Sequence, residues 1–295
     1  MNAVHKFGGD WTTDKLERVR KYLQAYTIIF DRNPKAQKLH TIYVDAFAGT
    51  GYRTQHHANA DIFHLPELGE ADNQAFLKGS ARIALEIKPA FKEYLFIECD
   101  PEHCRELERL KSEFACNAGK ITIVGEDANA YMQRWCRDTD WRMTRAVVFL
   151  DPYGMQIEWP LVESLAKTQA VDLWILFPLG IAVNRMLTKS APPPEEWANS
   201  LTRIFGTDEW QDAFYPRRKV FTLFGEEETQ TKEADFSTIS NFFVSRLRKV
   251  FTAVASNSLL LMNSKNNPLY LLCFASGNPK GAPTAIRIAQ HILRS

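Results

Sequence analysis

The segment IYVDAFAGTG, Ile42–Gly51, decides the fold of this chain. Its apolar, β-branched start predicts a buried strand that ends at Asp45, and Gly49-Thr50-Gly51 predicts a tight turn. Glycine has no Cβ, so a ligand can approach the main chain closely there. In open α/β sheets, ligands bind beside such turns at the carboxyl ends of the strands. The segment therefore predicts a ligand site directly after the first strand.

Composition excludes several classes of protein. The formal net charge is +1 with acids and bases interspersed, so bulk charge indicates neither a nucleic-acid nor a membrane partner. The longest apolar window, Leu173 to Val183, contains Pro178 and is too short to span a bilayer. The amino-terminal residues do not form a signal-peptide pattern. We therefore expect a cytoplasmic protein with no membrane partner.

The cysteines and histidines do not predict a metal site. The five cysteines lack C-x-x-C spacing, which favours buried, reduced thiols over disulfides or zinc. Three histidines share one polar loop, but acids or thiols at ligand spacing do not accompany them. These loop histidines are His56, His57 and His64.

Strand and helix patterns alternate along most of the chain. Five apolar strands are predicted at residues 41–47, 93–98, 121–124, 145–150 and 171–177. Alternation of this kind indicates a parallel sheet covered by helices on both faces. Two further strands, 253–262 and 269–276, are joined by a short polar turn and should pair antiparallel. The pattern predicts a Rossmann-like α/β fold with a seven-stranded methyltransferase sheet, mostly parallel with one antiparallel strand.

The alternation breaks in two places. The predicted domains are a methyltransferase-like core with an N-terminal helix (1–183), an inserted helical subdomain (184–252) and a hairpin and helix that complete the core (253–295). Residues 53–78 form a long polar loop, which is typical of a functional lid or a disordered segment.

Polar residues follow four predicted strands in an order that suits S-adenosylmethionine. The turn after Asp45 can hold the methionine moiety, Glu98 can accept two ribose hydroxyls, and Asp127 can bind the adenine amino group. Asp127 can instead be only the cap of the following helix, as can Asp100. The predicted cofactor-binding residues are Asp45, Phe47, Gly49, Thr50, Gly51, Glu98, Asp127 and Ala128.

The fourth strand is followed by Asp151-Pro152-Tyr153-Gly154. Amino-methyltransferases place an acid or amide, prolines and an aromatic here, to bind the target NH₂ and stack on its base. The single proline resembles the Asp-Pro-Phe-Gly of tRNA guanine-N2 dimethyltransferases, which disfavours a DNA adenine target. Asp151, Pro152 and Tyr153 are therefore the predicted catalytic residues. In the alternative interpretation, Tyr153 only packs on the sheet edge.

Several segments together resemble the three-Cys-motif partner proteins (TcmP), over nearly the whole chain. They are residues 43–52, 96–98, 149–155, 173–178 and 274–279. The resemblance implies a methyltransferase-like fold and pairing with a three-Cys-motif iron–sulfur protein, similar to radical-SAM proteins and encoded nearby. It does not imply an established reaction.

Three functions compete at this point. The first is a methyltransferase that acts on an exocyclic amine of a nucleobase or nucleic acid. The second is a non-catalytic, methyltransferase-fold subunit of the three-Cys-motif protein. The third, a nicotinamide-dependent oxidoreductase, is disfavoured because the Asp45–Gly51 turn lacks the G-x-G-x-x-G form and no predicted helix directly follows it.

Overall fold

The structure is a computed structural model, and it describes residues 10–49, 79–222 and 225–294. The predictions for Thr50, Gly51, the loop 53–78 and the three loop histidines lie outside the described residues.

The described helices and strands follow the predicted alternation closely. The strands are β1 (His40–Asp45), β2 (Glu93–Ile97), β3 (Ile121–Val124), β4 (Thr144–Leu150), β5 (Val171–Phe177), β6 (Arg217–Thr222), β7 (Gly225–Gln230), β8 (Ala253–Val254), β9 (Leu259–Met262) and β10 (Pro268–Ser276). The helices are α1 (Asp10–Arg32), α2 (Ser80–Glu86), α3 (Pro101–Glu113), α4 (Ala128–Asp138), α5 (Trp159–Lys167), α6 (Glu195–Phe205), α7 (Trp210–Phe214), α8 (Phe236–Val250) and α9 (Ala282–Arg294). A 3₁₀ helix spans Ala115–Lys120, a π-helix spans Leu179–Val183, and a single helical turn follows at Asn184–Met186.

The main sheet has the strand order β3-β2-β1-β4-β5-β10-β8, and β9 also pairs with β10. Strands β1 to β5 are parallel, whereas β10 runs antiparallel to β5, β8 and β9. The predicted fold class is thus confirmed, with one difference in detail. The strand predicted at 253–262 is two short pieces, β8 and β9, because the chain leaves the ladder where Asn257 donates a hydrogen bond to the Gln290 carbonyl of α9.

The strand order reverses between β1 and β4. β1 pairs with β2 on one side and with β4 on the other, so the connections leave in opposite directions from this point. In open α/β sheets, the crevice that binds ligands lies outside the carboxyl ends of the strands at such a reversal. Asp45 is level with Phe149, two residues before Asp151, and both acids therefore lie at this reversal.

Helix α1 is fixed across one face of the sheet by a buried polar contact. Tyr22 donates a hydrogen bond of 2.7 Å to Asp172 Oδ2 near the start of β5, and Ser276 donates one of 2.6 Å to Asp172 Oδ1. Burial raises the pKa of Asp172 to about 6. Lys15, earlier on α1, contacts Asp151 after the end of β4. The helix therefore runs antiparallel to the parallel strands, and its first turns lie at their carboxyl ends.

The sequence predicts a helical segment at 184–252, but the structure shows that this segment also contains two strands. β6 and β7 form a separate antiparallel hairpin. The sequence does not predict this hairpin, because the acid-rich residues 225–230 lack an alternation of apolar and polar side chains. The buried residues of this segment share one hydrophobic cluster with a face of the main sheet. The Phe243 ring of α8 stacks on the Phe177 ring of β5 at 4.0 Å. The division into three domains stays a prediction.

Candidate functional site

Gly49, in the turn after β1, lies directly against Glu98, the acid that follows β2. A Cβ on Gly49 would lie 2.6 Å from Glu98 Oε2 and 2.7 Å from the Cβ of His103, so only glycine fits there without displacement. Glu98 is 4% exposed. Its Oε1 accepts a hydrogen bond of 2.8 Å from the Asp100 backbone N–H. Its Oε2 is buried and has no hydrogen-bond partner among the residues that the structure describes.

Asp45 ends β1 in a fully buried position. Burial is the largest influence on this carboxyl and raises its pKa to about 7. The Ser80 hydroxyl opposes the rise most strongly, the Asp151 charge adds to it, and Lys15 and the Phe47 backbone N–H oppose it more weakly. Near neutral pH the Asp45 side chain can therefore be either protonated or ionised.

The raised pKa of Asp45 predicts how the stability of the protein changes with pH. The ordinary pKa of this carboxyl is 3.8, so between about pH 4 and 7 the folded protein holds a proton that the unfolded chain has lost. The free energy of unfolding should therefore fall as pH rises through this range, by at most about 1.4 kcal/mol per pH unit from this group. Urea denaturation at pH 5 and pH 7 measures the difference. Asp45→Asn should flatten it, while an unchanged slope would contradict the assignment; the exposed Asp140→Asn is the control.

Asp151 forms a buried ion pair with a residue of the first helix. Lys15 Nζ lies 2.7 Å from Asp151 Oδ2, and the two side chains are 0% and 3% exposed. The ammonium also lies over the Trp11 ring, 5.4 Å from its centroid. Burial raises the pKa of Asp151, and the charge of Lys15 opposes that rise. Burial likewise lowers the pKa of Lys15, against the charge of Asp151.

The residues after Asp151 turn outward. Pro152 is buried, whereas Tyr153 is 37% exposed. The Tyr153 backbone N–H donates a hydrogen bond of 2.8 Å to Gln156 Oε1, which closes the turn. Whether the ring stacks on a planar ligand or packs on the sheet edge stays a prediction.

Two acids in the loops after β2 and β3, Asp100 and Asp127, cap helices. Asp127 Oδ1 accepts a hydrogen bond of 2.8 Å from the Ala130 N–H at the start of α4, and Asp100 caps α3 in the same way. The alternative interpretation of these residues as caps therefore describes what they do here. Asp127 is exposed beside the buried Ala128, at the same edge as Glu98 because β3 is next to β2. Phe47 is 8% exposed in the turn after β1. The binding roles of Asp127, Ala128 and Phe47 stay predictions.

Sequence reasoning missed two residues of this site. Lys15 shares a buried helical face with Val19 and Tyr22, and His103 shares one with Leu107 and Leu110. The signal in both cases is helical periodicity, since residues spaced by three and four lie on one face. A charged residue at an apolar position of that pattern marks a buried polar contact.

Two absences hold for the described part of the chain. Histidines, cysteines and acids do not come together there in a group that could hold a metal ion. The helices there are all too short or too polar to cross a bilayer.

No family model and no curated protein sequence matches the chain. Similar solved structures include protein LPL1258 of Legionella pneumophila, with a TM-score of 0.48 and 12% identity over 97% of this chain and 92% of that one. Spermidine synthase in complex with the transition-state analogue AdoDATO has a TM-score of 0.40 and 10% identity, over 92% of this chain and 62% of that one. Magnesium protoporphyrin IX methyltransferase from Synechocystis PCC 6803 with bound SAH has a TM-score of 0.33 and 11% identity, over 89% and 99%. Likenesses this distant do not bear on function.

Proposed function

We propose that this chain is an S-adenosylmethionine-dependent methyltransferase that acts on an exocyclic amine of a nucleobase or nucleic acid. One observation carries the proposal: Gly49, after β1, lies against Glu98 at the carboxyl ends of the strands, beside the reversal of strand order. Ligands of open α/β sheets bind at this position, and an acid placed like Glu98 accepts ribose hydroxyls in dinucleotide-binding folds.

The charges of the site suit a cationic ligand. Asp45 and Asp151 are both buried, and among the residues that the structure describes they lie beside one buried ammonium group, that of Lys15. When Asp45 is ionised, burial makes its negative charge costly, and a sulfonium or an amino group would offset that charge. Among the residues that the structure describes, Glu98 Oε2 is a buried acceptor without a hydrogen-bond donor, and a ribose hydroxyl can supply one. When bound, S-adenosylmethionine supplies an already activated methyl group.

In this proposal the chain supplies position and electrostatics for the acceptor. The charge of Lys15 opposes the rise that burial causes in the pKa of Asp151 and so favours the carboxylate, which can accept an N–H from the target amine. The exposed Tyr153 ring can stack on the base that carries the amine. Orienting two reactants in this way can lower a barrier by up to about 7–11 kcal/mol at best.

A second candidate function is a non-catalytic subunit of the three-Cys-motif iron–sulfur protein. The tight cover over Glu98, which leaves it 4% exposed, is the observation that favours it. Under either function, the resemblance to TcmP leads us to propose that partner.

Co-purification with the three-Cys-motif protein encoded nearby tests the pairing. Incubation of both proteins with tritiated S-adenosylmethionine and bulk tRNA tests for methyl transfer.

Calorimetric titration with S-adenosylhomocysteine (SAH) tests the cofactor site directly. We expect the wild type to bind SAH and Glu98→Gln to bind about 10- to 100-fold more weakly, because hydrogen bonds to a charged acceptor contribute about 1.5–3 kcal/mol. Glu102→Gln is the matched control, since its side chain is 82% exposed on the next helix and should bind as the wild type does. A folded wild type that does not bind SAH would reject the methyltransferase proposal.

A further inference from the structure

His103 closes the second oxygen of Glu98 from one side. Its Nδ1 lies 3.8 Å from Glu98 Oε2, and its Cβ lies where a side chain on Gly49 would be. The imidazole is 5% exposed and projects from the first turn of α3. Glu98 Oε2 therefore lies between Gly49 and His103, at the place where the ribose would have to bind.

We infer that His103 is a positioning residue that competes with the ribose hydroxyls for the Glu98 carboxylate, an inference that rests on the proposed function. A protonated imidazole is attracted to Oε2 and holds it closed, because opposite charges at this distance attract strongly in a site shielded from water. A neutral imidazole holds it less tightly and gives way to a nucleoside. Nucleoside binding and protonation of His103 should then oppose each other equally, as thermodynamic linkage requires.

The groups around His103 decide the direction of the effect. Glu98 is the strongest influence and raises the pKa of His103, while burial lowers it. Asp100, which caps the helix, and Glu106, further along it, add smaller contributions that raise it. The positive end of the α3 dipole acts against a charged imidazole. Since Glu98 dominates, hydroxyl groups that engage its carboxylate should weaken the hold on the proton.

NMR of the histidine ring carbons measures this without an acceptor substrate. The Cε1 signal of His103 is followed from about pH 5.5 to 8.5, with and without saturating SAH, and is assigned by its loss in His103→Gln. SAH should lower the pKa of His103, and so should Glu98→Gln without SAH. His40 is the internal control, because it pairs with Glu93 at 2.9 Å at the opposite end of β1, and its Cε1 signal should not respond to SAH.

Calorimetry supplies the reciprocal measurement. SAH affinity of the wild type should rise by about three- to tenfold between pH 6 and pH 8, and the rise should be smaller in His103→Gln. If SAH binds but the His103 titration does not move, or the rise is the same in the variant, the inference fails and the proposed function stands. If SAH does not bind at any pH, the proposed function fails and this inference fails with it.

Discussion

Replacement of Lys15 by methionine is expected to lower the free energy of unfolding by about 3–5 kcal/mol at pH 7. Lys15 and Asp151 are 0% and 3% exposed, and removal of one member of a buried pair leaves the other charged and unpaired. Asp45 lies close to Asp151, but as a second carboxyl group it cannot act as a counterion for the Asp151 carboxylate. Urea denaturation followed by circular dichroism measures the loss. The loss should be smaller at pH 5, where the unpaired Asp151 can take up a proton.

The double variant Lys15→Met/Asp151→Leu separates the pair from its surroundings. Replacement of both ions by apolar side chains of similar size is often neutral, so most of the lost stability should return. Lys21→Met is the control, because Lys21 is 44% exposed and its contact with Glu17 is 3.9 Å. It should change stability by less than about 1 kcal/mol. A cost that small for Lys15→Met would show that the buried pair does not hold α1 on the sheet.

Phe243→Ala should lower the free energy of unfolding by about 3–5 kcal/mol, with one cooperative transition retained. Phe243 lies on α8 within 184–252, yet its ring stacks on Phe177 of β5 and meets Trp159 of α5 edge-on. Truncation of a buried phenylalanine removes its transfer free energy and leaves a cavity. Because the Phe243 ring packs between the segment and the sheet, the segment and the sheet should lose stability together and unfold in the same transition. Calorimetry and urea denaturation measure both the loss and the number of transitions.

Phe242→Ala is the matched variant for this experiment. Its ring contacts Phe205 and Phe214, both of which lie inside the segment 184–252. If the segment folds together with the sheet, both alanine variants shift the same single transition. Two separate transitions, with Phe242→Ala affecting only one of them, would instead support an independent subdomain.

The fold could be predicted from the sequence because its signals are local and repeated. The strands at 121–124 and 171–177 have the predicted bounds, since each apolar run is set off by polar residues or a turn. The hairpin at 217–230 was missed because β7 is almost entirely polar. A polar strand of this kind is stabilised by pairing with its partner strand, and the sequence of one strand alone does not show that partner.

The site was predictable only where it lies on the turns after strands. The sequence placed Gly49, Glu98 and Asp151 at one edge of the sheet, and the structure brings Gly49 and Glu98 into contact. Lys15 comes from a helix 136 residues earlier than its partner, and local spacing does not encode that contact. The burial of such a cation depends on a compensating charge from elsewhere in the fold.

The division of one strand into β8 and β9 also bears on self-association. Those pieces are two and four residues long, and β3 at the other edge of the sheet has four. Long, flat outer strands offer unpaired amides and carbonyls to other chains and promote aggregation. With both margins this short, the main sheet offers little template for a strand from a second molecule.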